Sequence, residues 1–209
     1  DFRIIMLNYT YGTNGLKVDI PRIVNYIDKE IMKGDIAEAK LFNPDFIIAN
    51  MHWGLEYERI PSREQRELAD WLLRQGVDLV IGSHPHVVQP MELRRGKEGV
   101  TDRLVVYSLG NFISNMSREH TDGGVMVKVV LGRKGLRRYI ISAQYSLIYS
   151  SRYKNEQGKE DIRVVPAASW SGKNQNSSFS VDSALIKYVN NTRLFLKGNN
   201  KEVEEYIFE

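Results

Sequence analysis

Short apolar runs closed by glycine, proline or asparagine set the rhythm of the first half of the chain. Phe2–Thr10 (FRIIMLNYT) runs into the turn-rich YGTNG and reads as a strand. Arg22–Ile27 (RIVNYI) reads either as a short strand or as the first turns of a helix after Pro21; we take the strand. Asp28 then caps a helix from about Lys29 to Leu41, with Met32, Ile36 and Ala39 on one face. Asp45–Gly54 (DFIIANMHWG) has the continuous apolar character of a buried strand and ends at His52. The next helix is PSREQRELADWLLRQG. Ser62 and Gln65 form a capping box, Leu68, Trp71, Leu72 and Gln75 define one side, and Gly76 stops it. Val77–Gly82 is the next buried strand, so strand, helix and strand make a βαβ unit with a parallel pair.

The pattern then changes. RLVVYSLGN, GVMVKVVLG and LRRYIISAQYSLI are strands with little helix between them, and Gly132–Gly135 (GRKG) suits a hairpin turn. Arg152–Ser178 is polar and weakly periodic and is expected as a long loop. Asp182–Leu196 reads as a helix with Leu185, Val189 and Leu196 inward. No internal repeat or low-complexity tract is present.

Composition narrows the classes. A hydrophobic fraction of 42% supports a packed core, and 29 basic against 26 acidic residues leave a net charge of +3. The charges are interspersed, with no basic stripe that would track a phosphate backbone, so nucleic acid is not an expected partner. There is no cysteine, which excludes disulfides and thiolate metal sites. No run approaches the roughly 18–20 apolar residues of a membrane span. No signal peptide is visible; a chain opening inside a strand predicts further residues upstream.

The candidate chemistry lies at strand exits. Two of the four histidines, His84 and His86, stand in IGSHPHVV with one proline between them. In an open α/β sheet, ligands gather outside the carboxyl ends of the parallel strands. That end holds His52 on one strand and His84 and His86 on the next. Neutral imidazoles suit zinc, iron or manganese. An extended His-Pro-His segment would project both rings to one side, and Gly82 would let the chain turn without a Cβ clash. Each histidine also has a plain structural reading as a hydrogen-bonded residue. Glu56 is a ligand, an orienting partner, a base or a surface charge. Asn111 caps a turn or faces the crevice, Asn14 is a turn residue tolerating positive φ, and Trp53 is a core or pocket-wall aromatic. His120 is a loop residue.

The segments MHWGLEYE, GVDLVIGSHPHVVQPME and LVVYSLGNFISN, in that order and spacing, resemble the bacterial capsule-synthesis or poly-γ-glutamate-synthesis (CapA-like) family. NYTYGTNG and IDKEIMKGDIAEAK also fit, so the resemblance runs from about Phe2 to Ser117. It implies a branch of the calcineurin-like metallophosphoesterases, with an α/β (α+β) fold: a β-sandwich flanked by helices and a two-metal site at the strand ends. His52 matches the isolated histidine ligand, and His84 and His86 match the closing pair, with Ser83 following the capsule branch. The family's Asp-bearing strand, Asn-Leu-Glu segment and Asn-His pair have no counterpart here. The resemblance therefore implies the C-terminal half of a family member with an incomplete site. Residues 1–150 would form that half-domain, and 151–209 a polar loop and helix packing on it.

Two functions are implied by the resemblance. One is a metal-dependent hydrolase of a phosphoester or polymer amide, with Mn, Zn or Fe at His52, His84 and His86, Glu56 as the catalytic carboxylate, and Asn14 and Asn111 at the substrate. The other is a non-catalytic subunit that binds an anionic polymer such as poly-γ-glutamate. Either would work with membrane-bound synthesis subunits, outside the cytoplasmic membrane, anchored through residues beyond this chain.

Overall fold

The computed structural model describes residues 2–97, 101–135, 137–168 and 183–207. Five strands form the first sheet: β1 (Ile4–Thr10), β2 (Phe46–His52), β3 (Leu79–Ser83), β4 (Met91–Arg94) and β5 (Arg103–Val106). Their order is β1-β2-β3-β5-β4, with β1, β2, β3 and β5 mutually parallel and β4 antiparallel to β5. Two helices make the crossovers, α1 (Lys29–Leu41) between β1 and β2, and α2 (Arg63–Gln75) between β2 and β3. Asp28 caps α1 by accepting from the Glu30 and Ile31 amides, and Ser62 and Gln65 complete the capping box of α2. Gly76 ends α2 in the left-handed region, where a side chain would be strained.

The central strands are apolar on both faces because both are covered. Ile47, Ala49, Met51, Val80 and Val105 pack with Met32, Ile36 and Ala39 of α1 and Ala69 and Leu72 of α2. Phe46, Leu79, Leu104 and Val106, on the other face, join a second core with β6 (Gly123–Lys134) and β7 (Arg137–Lys154). These two strands form an antiparallel ribbon extended by β8 (Glu160–Pro166), while β9 (Glu204–Glu205) pairs with β7. Leu185, Val189 and Leu196 of α3 (Ser183–Asn199) lie in the same core. The result is two sheets packed face to face with helices outside, the α/β sandwich expected. Among the described residues no helix is long and apolar enough to cross a membrane.

Several expectations change. Arg22–Ile27 is not a strand; only Tyr26 bridges to Thr10, and Ile23 is 87% exposed. The segment meets β1 only at its end, where the Thr10 amide donates to the Asn25 carbonyl and the Ile27 amide to the Thr10 carbonyl, and its preceding residues stay mostly exposed. Part of the expected loop Arg152–Ser178 is sheet. Arg152–Lys154 finish β7, and Glu160–Pro166 form β8 against it. Residues 169–178 of that expected loop lie outside the described residues. The buried side of α2 is Gln65, Ala69 and Leu72, while Leu68 and Trp71 sit at its margin. Gln65 is tolerated there because its amide donates to Gln89 Oε1 and accepts from the Ser62 amide. Strand β7 runs across residue 150 without interruption.

Candidate metal centre

Parallel register brings the site together. Thr10, His52 and Ser83 lie in one row across β1, β2 and β3, so the loops leaving these strands all emerge at the same edge. After β1 comes Tyr11, whose amide donates to the His52 carbonyl. After β2, the turn through Glu56 is tied to the histidine turn, since the Tyr57 amide donates to the Pro85 carbonyl at 2.8 Å. His84 is buried, His86 half-buried, and His52 and Glu56 are exposed.

The histidine turn is not extended. His84 has φ 102° and His86 φ 61°, so Pro85 is flanked by two left-handed residues. Such conformations in non-glycine residues cost about 1–3 kcal/mol each. Both rings still reach one crevice, with centroids 6.0 Å apart, and His84 lies 4.7 Å from His52. Gly82 also has a different task from the one expected. It is a strand residue, and a Cβ there would fall 1.9 Å from the Tyr107 carbonyl oxygen and 2.5 Å from Trp53 Nε1. Trp53 is a core residue, 2% exposed, and its indole donates to that same carbonyl at 2.9 Å.

One donor atom each from Glu56, His84 and His86 lie within 4.8 Å of one another. Two imidazoles and a carboxylate at that spacing fit a divalent zinc, iron or manganese ion. His52 stands beside this group through its ring contact with His84, and its Nδ1 is 3.3 Å from Ser83 Oγ. Glu56 is thus positioned where it could serve as a ligand, one of the roles the sequence left open for it.

Asn111 shapes the chemistry of His86. Its Nδ2 donates to the Thr121 carbonyl at 2.9 Å, which makes Oδ1 the atom facing His86 Nδ1 at 3.0 Å. His86 Nδ1 therefore carries the proton, and Nε2 keeps the lone pair a metal requires. Burial lowers the pKa of His84, reinforced by His52 and His86 and opposed by Glu56. Burial, then His86, lowers that of His52. Both shifts favour the neutral ring, the form that can ligate.

Asn14 sits in its turn at φ 52°, as expected, and accepts a 2.6 Å hydrogen bond from the Tyr11 hydroxyl. It reaches the site only through Tyr11, whose ring lies 4.4 Å from His84 and 5.7 Å from His52. Tyr57 walls the other side, 6.1 Å from His86. Sequence reasoning missed both tyrosines; their placement directly after β1 and within the Glu56 turn was the available signal. A cavity of about 710 Å³ opens beside His86 and Asn111, with Arg152, Glu160 and Asp161 on its walls.

These features define a class: an α/β sandwich of the metallophosphoesterase-like type with a histidine–carboxylate cluster at the strand ends. Residues 1–116 match the family described as bacterial capsule synthesis protein PGA_cap, and the chain belongs to that family. It is 34% identical over 115 residues to the PGA biosynthesis protein CapA of Bacillus subtilis (strain 168), covering 55% of this chain and 28% of the relative. It is 35% identical over 107 residues to the capsule biosynthesis protein CapA of Bacillus anthracis, covering 51% and 24%. The chain spans about a quarter of the length of these curated relatives.

Proposed function

We propose that this chain carries a divalent-metal site serving capsule or poly-γ-glutamate biosynthesis, and that the site supports a metal-dependent hydrolytic step on the polymer or a phosphoester. The observation that carries the reading is the convergence of Glu56, His84 and His86 donor atoms within 4.8 Å. His84 and His86 would hold the ion through neutral nitrogens, Glu56 would offset its charge, and Asn111 would keep His86 in the ligating tautomer. A bound ion supplies Lewis acidity and eases deprotonation of water near neutral pH. His52 and Tyr11 would close the side of the crevice opposite Tyr57. Both relatives are named for capsule or PGA biosynthesis, which supports a cell-surface role with membrane-bound synthesis subunits and an anionic polymer as partners.

The test is direct. Calorimetric titration with Mn²⁺ or Zn²⁺ is expected to show saturable binding that His84→Ala with His86→Ala abolishes. Unchanged binding in that double variant would refute the metal assignment. Turnover of a chromogenic phosphoester and release of glutamate from the polymer, each with the ion present, then separate the two substrate classes. The second reading, a polymer-binding component without turnover, rests on the exposed position of Glu56 and His52, which leaves the cluster open to solvent. It predicts metal binding and polymer binding with no product of either kind.

A further inference from the structure

We infer that the base of the first sheet, the end remote from the histidines, is a membrane-contact face that docks on anionic lipid headgroups; this does not depend on the metal site. Three segments meet there: the chain entering β1, the turn from α1 into β2, and the tip of the β6–β7 hairpin. Arg3 donates through its guanidinium to the Phe42 carbonyl and through its amide to Asp45 Oδ2 at 2.8 Å. Arg138 donates to the Pro44 and Asp45 carbonyls at 2.8 and 2.6 Å. Arg133 donates to Asp45 Oδ1 at 2.9 Å, and its guanidinium lies 5.7 Å from the centre of the Phe2 ring. At the hairpin tip, register sets Arg133 opposite Arg138 and Lys134 opposite Arg137. Like charges directly opposite each other destabilise a sheet. Two such pairs in succession are a strain that an anionic partner relieves.

The acid in contact with these cations, Asp45, is turned inward: its side chain is 14% exposed and both carboxylate oxygens are engaged. Five cations against that one acid leave a local excess of four, in a chain whose whole net charge is +3. Glu38 and Lys40, in the last turn of α1, cancel each other. Charge alone would suit any polyanion, and the apolar residues decide between them. Leu41 is 79% and Phe42 58% exposed beside Arg3, and Phe2 is 42% exposed beside Arg133. A polyglutamate chain gives leucine and phenylalanine no apolar phase to enter. A bilayer does, at the boundary of headgroups and acyl chains, while arginine and lysine meet the phosphates. At about 3.3 Å per residue, Ile4–Thr10 of β1 separates this face from the histidine end by about 20 Å. A chain docked there leaves the crevice open at the opposite end of the sheet.

The experiment measures flotation of the 209-residue chain with phosphatidylcholine vesicles containing about one-third phosphatidylglycerol, at low salt and without metal. Binding is expected to these vesicles and not to pure phosphatidylcholine. Lys134→Gln with Arg137→Gln should weaken it about 25-fold, roughly fivefold per cation. Leu41→Ser with Phe42→Ser should weaken it at least about tenfold. The Phe42 amide caps α1 whatever its side chain, and circular dichroism checks that this variant folds. Lys17→Gln with Lys187→Gln removes the same charge from the loop after β1 and from α3, and should change the affinity by less than about threefold. Equal losses for the two cation pairs would overturn the proposal, because the effect would then be net charge. Vesicle binding indifferent to Leu41→Ser with Phe42→Ser, and matched by soluble polyglutamate, would overturn it in favour of a polyanion site. A dimer in light scattering that the same double variant dissolves would assign the face to a second copy and overturn it too. So would failure of the unaltered chain to float with anionic vesicles.

Discussion

Replacing Gly82 by alanine tests how the site is anchored to the sheet. The new methyl carbon would sit 1.9 Å from the Tyr107 carbonyl oxygen, 2.6 Å from its carbonyl carbon and 2.5 Å from Trp53 Nε1. The obstacle is mostly main chain, so no rotamer change relieves it. Side-chain carbons do not approach a carbonyl oxygen closer than about 3 Å, so the strands must part by at least about 1.1 Å. That displacement acts on the parallel pairing of β3 with β5 and on two hydrogen bonds, Trp53 Nε1 to Tyr107 O at 2.9 Å and the Leu109 amide to Gly82 O at 3.0 Å. Overpacking of this kind costs about 1–3 kcal/mol. Weakening one bond adds about 0.5–1.5 kcal/mol. The expected loss is about 2–4 kcal/mol, a large share of the roughly 5–15 kcal/mol that holds a domain folded. With a urea slope of about 1–3 kcal/mol/M, the midpoint should fall by roughly 1–2 M at unchanged slope. Metal affinity should fall too, because Gly82 lies two residues before His84. A midpoint shift below about 0.3 M, with normal circular dichroism, would show that the close approach is not a constraint.

Three further outcomes are expected. Asn111→Leu frees His86 to take either tautomer and should weaken metal binding about 10–100-fold, with the ring nitrogen resonances showing the mixture; unaltered affinity would remove Asn111 from the site. Arg103→Gln strands Asp78, whose side chain is 4% exposed and accepts from Arg103 at 2.6 Å and from the Ile47 amide at 2.8 Å. The loss should be about 3 kcal/mol by urea unfolding. Burial already raises the Asp78 pKa, so the deficit should shrink as acid protonates it, and a deficit independent of pH would refute this account. The folded pKa values of His52 and His84 lie below the ordinary imidazole value, so between the two the unfolded chain binds more protons. In metal-free protein their contribution is present above pH ~6.5 and is lost as pH falls through the folded pKa values, which NMR titration of the rings would track.

Periodicity carries much of the fold. The buried runs through Phe46–His52 and Leu79–Ser83 and the capped helix between them are legible because strand, cap and stop signals agree locally. Strand β4 is not legible, since four residues after Pro90 are too few to show alternation. Strand β8 escapes the pattern because its residues are charged or only half-buried and gain their pairing from β7, a separate strand. In the candidate site, the convergence of His52 and His84 is a consequence of strand order. The grouping of Glu56 with the His84–His86 pair, the Tyr11 and Tyr57 walls and the Asn111 contact are not. Those depend on how loops from separate strands meet, and local sequence does not encode that.

The two left-handed histidines flanking Pro85 have an evolutionary consequence. Glycine or asparagine would relax that turn, so selection for thermal robustness alone would drift toward replacing the rings. Their retention in a lineage would be a sign that chemistry still outweighs the sacrifice in ruggedness, whereas their loss would be the first mark of a descendant that kept the scaffold and abandoned the ion.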